Sequence, residues 1–137
     1  MEYRLDLNNL YKILELVSDY NCKLLPVIKG RDEEDILQLY NEGFREFGEN
    51  RLNELSDHAR FLPEARFHFI APLQSRKIRQ IMNSCDFIHT LQRPKEILAI
   101  NECYENQDIF VQINIDDDPN KSGININAVS YTHLRAH

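Results

Sequence analysis

The residue best placed to do chemistry is Lys29, which follows the apolar run Leu24-Leu25-Pro26-Val27-Ile28 and precedes Gly30. A packed strand ending there would anchor the side chain and aim its amine at the strand's carboxyl end. Schiff-base formation asks for such a placement, because only the neutral amine attacks an aldehyde and partial desolvation lowers a lysine pKa. The plainer alternative is a lysine leaving a strand for solvent. A second candidate, His68, stands between Phe67 and Phe69. It could face the interior and touch a ligand, or it could be a satisfied core histidine. His58 and His89 form no metal-ligand spacing with it, and no cysteine pair supports zinc. The chain carries no glycine-rich phosphate loop, nucleophile elbow or paired-carboxylate motif. The basic run Arg76-Lys77-Ile78-Arg79 is short and lacks interleaved aromatics, which fits a solvated helix face better than a nucleic-acid contact.

The elements that must position these residues are legible as an alternation. Short runs rich in β-branched and aromatic residues predict strands at Leu24–Ile28, Phe44–Phe47, Phe67–Ile70, Phe87–Ile88 and Ile109–Ile115. Amphipathic segments lie between them, and one precedes them, with Leu10, Ile13, Leu14 and Val17 on one stripe. Asp32 is expected to cap a helix that carries Glu33, Glu34 and Asp35 in its first turn, buries Ile36, Leu39 and Tyr40, and stops at Gly43. Asn50 is the expected cap of the next, whose stripe is Leu52, Leu55 and Ala59. Ser75 precedes a third with Ile78, Ile81 and Met82 on one side, and Pro94 opens a fourth with Ile97, Ile100 and Tyr104.

Such β-α repetition specifies an α/β fold with a parallel sheet. Spacing alone leaves two architectures open, a complete open sheet of five strands or the first five units of an eight-stranded barrel. On the last predicted strand, Ile109, Val111, Ile113 and Ile115 share one face while Phe110, Gln112 and Asn114 share the other. Polar side chains near the end of a buried strand need partners, either within the core or on a ligand.

Composition sets the outer limits. The 137 residues allow one domain, 42% hydrophobic and 28% charged, with a net charge of −6. That charge argues against nucleic acid or a membrane surface as partner, and no apolar run is long enough to cross a bilayer. Cys22, Cys85 and Cys103 are few and scattered, as expected of reduced thiols in a cytoplasmic protein.

Four segments in order resemble the pyridoxal phosphate homeostasis protein family, whose barrel is similar to the N-terminal domain of alanine racemase. They are LLPVIKG at Leu24–Gly30, FGENRLNE at Phe47–Glu54, HFIAPLQSRK at His68–Lys77 and VQINIDDDPNKSG at Val111–Gly123. The resemblance implies a partial TIM-type (β/α)8 barrel, the first five βα units of a barrel that binds pyridoxal 5′-phosphate (PLP). It implies that Lys29 is the Schiff-base lysine, that Asn50 and His68 lie near the cofactor, and that Lys121 lies near the site entrance. Where the family usually has Ser before the lysine and Lys and Pro after it, this chain has Ile28, Arg31 and Asp32. Its HFIG-x-LQ-x-NK segment, usually preceded by Trp, here carries Phe67, Ala71 and Arg76.

The family continues through three more strands carrying the phosphate-binding segments, and none of that sequence is present. The last nine residues, Val129-Ser-Tyr-Thr-His-Leu-Arg-Ala-His137, resemble a translated sequencing-library adapter. A truncated barrel domain over residues 1–128 and a non-native tail over 129–137 are therefore expected. A barrel missing strands would leave unpaired edges and an uncovered interior, so the chain alone is expected to be poorly soluble or molten. The function implied is PLP carriage or buffering by a monomer, with PLP-dependent apo-enzymes as recipients. Because PLP brings its own electron sink, the surrounding residues decide the reaction. A racemase would need a second acid/base on the opposite face, and no tyrosine here lies in a motif for that part. A racemase-like enzyme and a cofactor-free α/β protein are the alternatives.

Overall fold

The computed structural model describes residues 4–127. The expected tail at 129–137, and the boundary at 128, lie outside the described residues. Helix α1 (Leu7–Ser18) is followed by α2 (Glu33–Asn41), β1 (Glu46–Glu49), α3 (Leu52–Phe61) and β2 (Arg66–Phe69). A 3-10 turn (Ser75–Lys77) then leads into α4 (Ile78–Ser84), β3 (Phe87–Leu91), α5 (Pro94–Cys103) and β4 (Asp108–Val111). Two short strands, β5 (Ile113–Asn114) and β6 (Ile124–Asn125), close the series. Strands β1 to β4 form a parallel four-stranded sheet in sequence order, while β5 and β6 pair separately. The sheet does not close, and this sequential parallel order is that of part of a (β/α)8 barrel.

The predicted strand Leu24–Ile28 is reduced to a single bridge, Val27 to Gly48, on the outer edge of β1. The backbone N–H of Gly48 donates to the Pro26 carbonyl at 2.8 Å, and that of Ile28 to the Gly48 carbonyl at 3.1 Å. Pro26 has no N–H to offer a ladder, and a turn at Lys29-Gly30 ends the extended stretch. The predicted strand Ile109–Ile115 is split at Gln112. Its first half stays in the main sheet, where Ile109 and Val111 pack against the core. Its second half leaves to pair with β6, and Ile115 is 72% exposed. The expected single apolar face across Ile109–Ile115 therefore does not exist.

The helices follow their local signals. Asp32 caps α2 by accepting from the Asp35 N–H at 2.9 Å, and Gly43 continues beyond its end at φ +106. Pro94 takes the first turn of α5, where Glu96 accepts from the backbone N–H groups of Gln92 and Arg93. The exception is Asn50, which does not cap α3. Arg51 holds the N-cap position there, with no side-chain cap bond.

Strand parity divides the sheet. Phe47, Phe67, Phe69 and Ile88 are buried against the helix layer, together with Ile36, Leu55, Ile78, Ile81 and Ile100. The alternate positions, Gly48, His68, Phe87, His89 and Phe110, look the other way, with Val27 beside them. Among the described residues no helix covers that second face, and Val27 and Phe110 are 45% and 50% exposed. A parallel sheet normally has both faces covered, so this face is the unusual surface of the fold.

Replacement of the working cap and of the mistaken one should differ. Asp32→Ala is expected to cost about 1 kcal/mol, read from the urea unfolding midpoint. Asn50→Ala should cost clearly less, because its buried Oδ1 has no hydrogen-bond partner to lose. Equal losses would show that Asn50 holds the start of α3.

Candidate functional site

Lys29 stands where the extended segment leaves the edge of β1. Its side chain is exposed and forms no hydrogen bond or ion pair among the described residues. The turn after it is fixed. Gly30 sits at φ +69, a region that favours glycine. Its N–H donates to the Glu54 carboxylate at 3.2 and 3.4 Å. Glu54 is also ion-paired with Arg51 at 3.6 Å, so α3 holds the backbone next to Lys29. Lys29 lines an open cleft of about 860 Å³ with Arg4, Leu5 and residues of α2.

Asn50 lies two residues past Gly48, beyond the end of β1, and the single bridge of Val27 with Gly48 does not extend to it. Its Oδ1 is buried and unpartnered. A Cβ on Gly48 would come within 3.1 Å of the Val27 side chain, so glycine keeps this stretch of the open face low.

His68 lies on the open face rather than in the core. Its ring stacks on Phe87 with centroids 3.9 Å apart and planes 8° apart. Its Nε2 is 3.1 Å from Glu46 Oε1, and its Nδ1 is 2.8 Å from His89 Nε2. His89 in turn lies beside Phe110, with centroids 5.0 Å apart. Burial, and then the neighbouring His68, hold the His89 pKa below the ordinary histidine value. Sequence reasoning set His89 aside for want of a metal spacing and missed Glu46. The usable signal was parity, since the β2 and β3 histidines both fall on positions alternate to the buried Phe and Ile residues.

A second glutamate–histidine pair lies behind the sheet. Glu49 is fully buried between β1 and α3, where one oxygen meets His58 Nδ1 and the other has no partner. Burial pushes its carboxyl above the usual glutamate value, against the lowering effect of His58.

Lys121 lies at the other end of the site region. It is exposed and 3.9 Å from Asp118 in the loop between β5 and β6. Asn114 organises that loop by donating to the Asp118 carbonyl at 2.8 Å and the Lys121 carbonyl at 3.3 Å. Gln112 reaches the Ser122 carbonyl at 3.5 Å. The polar residues of the last predicted strand are thus satisfied by a loop, not inside the core. Lys121 shares a cleft of about 510 Å³ with Ile70, Thr90, Gln112 and Asn114, at the carboxyl ends of β2 to β4. The structure joins His68 to His89, while Asn50 makes no contact with Lys29 and does not line the Lys29 cleft. It does not put Lys29 and Lys121 into one cleft. Among the described residues no cluster of His, Cys, Asp or Glu is suited to a metal ion, and no helix is long and apolar enough to cross a membrane.

Comparison with known proteins gives a consistent picture. The chain is 36% identical over 113 residues to the pyridoxal phosphate homeostasis protein of Pasteurella multocida, covering 77% of this chain and 48% of that protein. The Escherichia coli K12 protein of the same name is 34% identical over 119 residues, covering 75% and 48%. The chain thus spans about half the length of the curated relatives it matches. PipY of Synechococcus elongatus, solved without PLP, superposes with a TM-score of 0.76 at 25% identity, covering 88% of this chain and 60% of that one. The same protein with PLP bound gives 0.67 at 23%, covering 84% and 57%. No family model matches the chain.

The buried Glu49 makes stability depend on pH in a defined sense. Its folded pKa lies above its unfolded one, so the folded state holds the extra proton between the two values. Stability should fall as pH rises through that window and stay low above it. Glu49→Gln, which can still accept from His58, should remove this falling limb and leave the protein as stable or more stable at neutral pH. Denaturant melts between pH 4 and 8 check this, and a variant less stable than wild type at neutral pH would contradict it.

Proposed function

The chain belongs to the pyridoxal phosphate homeostasis protein family, whose curated relatives it matches over about half their length, and from that premise we propose that it holds pyridoxal 5′-phosphate on Lys29 as a Schiff base and takes part in carrying or buffering that cofactor. The observation that supports this most directly is the Lys29 amine, free of partners among the described residues, at the carboxyl end of the segment bonded to β1 around Gly48.

The surroundings fit the group. Gly48 keeps bulk away from the open face beside Val27. Asn50, just past β1, has a buried carbonyl oxygen that lacks a donor among the described residues. The open face carries four aromatic or imidazole rings, apolar ground for a pyridine ring. When bound, the cofactor supplies an aldehyde that condenses with a primary amine. The chain's own part is to present that amine, with Glu54 fixing the turn behind it. His68 bounds the ring face, and Lys121 stands near the entrance, above the carboxyl ends of the strands.

Carriage is favoured over catalysis, and the positions of the described tyrosines support that reading. Tyr11 bonds to Glu42 on the helix side, and Tyr40 lies under the Arg45 guanidinium. Tyr20 and Tyr104 stand at the ends of helices. None lies on the open sheet face, so no tyrosine there could serve as the second acid/base of a racemase. PLP-dependent apo-enzymes are the natural recipients of a reversibly held cofactor. The three cysteines, all free, suit a reducing compartment, and we place the protein in the cytoplasm.

Borohydride reduction of the chain with PLP, followed by peptide mapping, should place the label on Lys29. Lys29→Ala should abolish both that label and the yellow colour of the mixture, and no D- or L-amino acid should turn over. A label spread evenly over other lysines, unchanged by Lys29→Ala, would overturn the assignment.

A further inference from the structure

We propose that Glu46, His68 and His89 form a proton relay on the open sheet face, with Nδ1 of His89 as its outlet to a planar aromatic ligand that carries an exchangeable N–H or O–H. The ligand end of this inference rests on the reading that Lys29 holds a pyridine ring; the relay itself rests on geometry alone.

The hydrogen-bond pattern assigns the protons. An ionised Glu46 only accepts, so His68 Nε2, 3.1 Å away, carries a hydrogen. With His68 neutral, its Nδ1 is then bare and accepts from His89 Nε2–H across 2.8 Å. His89 is left with a bare Nδ1, which has no protein partner among the described residues. A ligand N–H or O–H meets an acceptor there.

If His89 Nδ1 takes that proton fully, Nε2–H of His89 passes to Nδ1 of His68. His68 then holds two N–H groups, and its positive charge rests against the Glu46 carboxylate. The reverse transfer returns the proton to the ligand, and no other atom or electron moves. Charge is thereby stored one residue away from the ligand, where a carboxylate stabilises it, while His89 remains neutral throughout. The lowered pKa of His89 agrees with that division.

The strands hold the three groups without a hinge. Register pairs His68 with both Gly48 and Phe87, and Phe87 stacks flat on the imidazole of His68. The other charged groups facing the relay are few. On β2, Arg66 lies over the Phe87 ring at 4.4 Å, and on β4, Asp108 pairs in register with Phe87. Among the described residues Glu46 is the one carboxylate that touches an imidazole of the relay, so Glu46 and His68 are positioning residues for His89.

Long-range proton–nitrogen NMR spectra of the labelled chain test this directly. At neutral pH we expect a bare His89 Nδ1, and on acidification the first proton should charge His68 while His89 switches its hydrogen from Nε2 to Nδ1. Glu46→Gln should move that first titration to at least tenfold higher proton concentration, and Glu46→Asp should restore part of the shift. Where PLP is bound, Nδ1 of His89 should change its shift more than any other histidine nitrogen. A protonated His89 Nδ1 at neutral pH, two rings that titrate independently of each other and of Glu46, or an unmoved His89 in a sample that has bound PLP would each overturn the proposal. Failure of PLP to bind would instead refute the cofactor reading, with the relay still judged by the tautomers and the Glu46 variants.

Discussion

Everything at the candidate site depends on two backbone hydrogen bonds around one glycine. Gly48 donates to the Pro26 carbonyl and accepts from Ile28, and these bonds tie residues 24–28 to the edge of β1. Without them Lys29 would end a loose loop, and a lysine on a loop loses much side-chain and backbone freedom when it forms a covalent link. With them the amine leaves from a fixed strand end, and Glu54 fixes the turn that follows. Gly48 is suited to this place because its neighbours across the face, Val27, Leu25 and Ile70, already crowd the position of a Cβ.

The second organising fact is parity. Adjacent residues of β1 send their side chains to opposite sides, so Glu46 and Glu49 face different environments. Glu49 is sealed between sheet and α3, where its charge is penalised by burial and only His58 answers it. Glu46 lies on the open face, partly wet, beside His68. One pair is therefore a feature of the packed core, and the other belongs to the surface on which a ligand would sit. The same rule puts Phe67 and Phe69 in the core while His68 between them faces outward.

Much of the architecture was legible because it is written in local signals. Asp32 and Gly43 bound α2, Pro94 opens α5, and the Ile78, Ile81 and Met82 stripe is buried as its spacing requires. Two strands were misjudged for reasons that periodicity cannot carry. Leu24–Ile28 is apolar enough for a strand but contains Pro26, which limits it to a bridge. Ile109–Ile115 alternates well, yet Asn114 finds its partners in the loop after it and draws β5 out of the sheet. Asn50 has a side chain that suits a cap but is held one residue too early. Of the site, Lys29 and His68 stood out by type and place. His89 and Glu46 did not, because their meaning lies in contacts across strands between partners 21 and 22 positions apart in sequence.

Parity also explains why several departures from the family pattern do not bear on the role proposed for Lys29. Ile28, where the family usually has Ser, is 1% exposed and points into the core beside the helices. Phe67, where Trp is usual, does the same, so both changes are exchanges within the packed layer and never reach the open face. Asp32, in place of the usual Pro, still begins α2, now by capping it through its carboxylate rather than by restricting φ. Arg31 pairs with Asp35 at 3.5 Å and so turns toward the first turn of α2. Each change lies on the helix side or in the turn that feeds it. His68, which keeps the family's residue type, lies on the open face, and Lys29, which keeps it too, ends the segment bonded to β1.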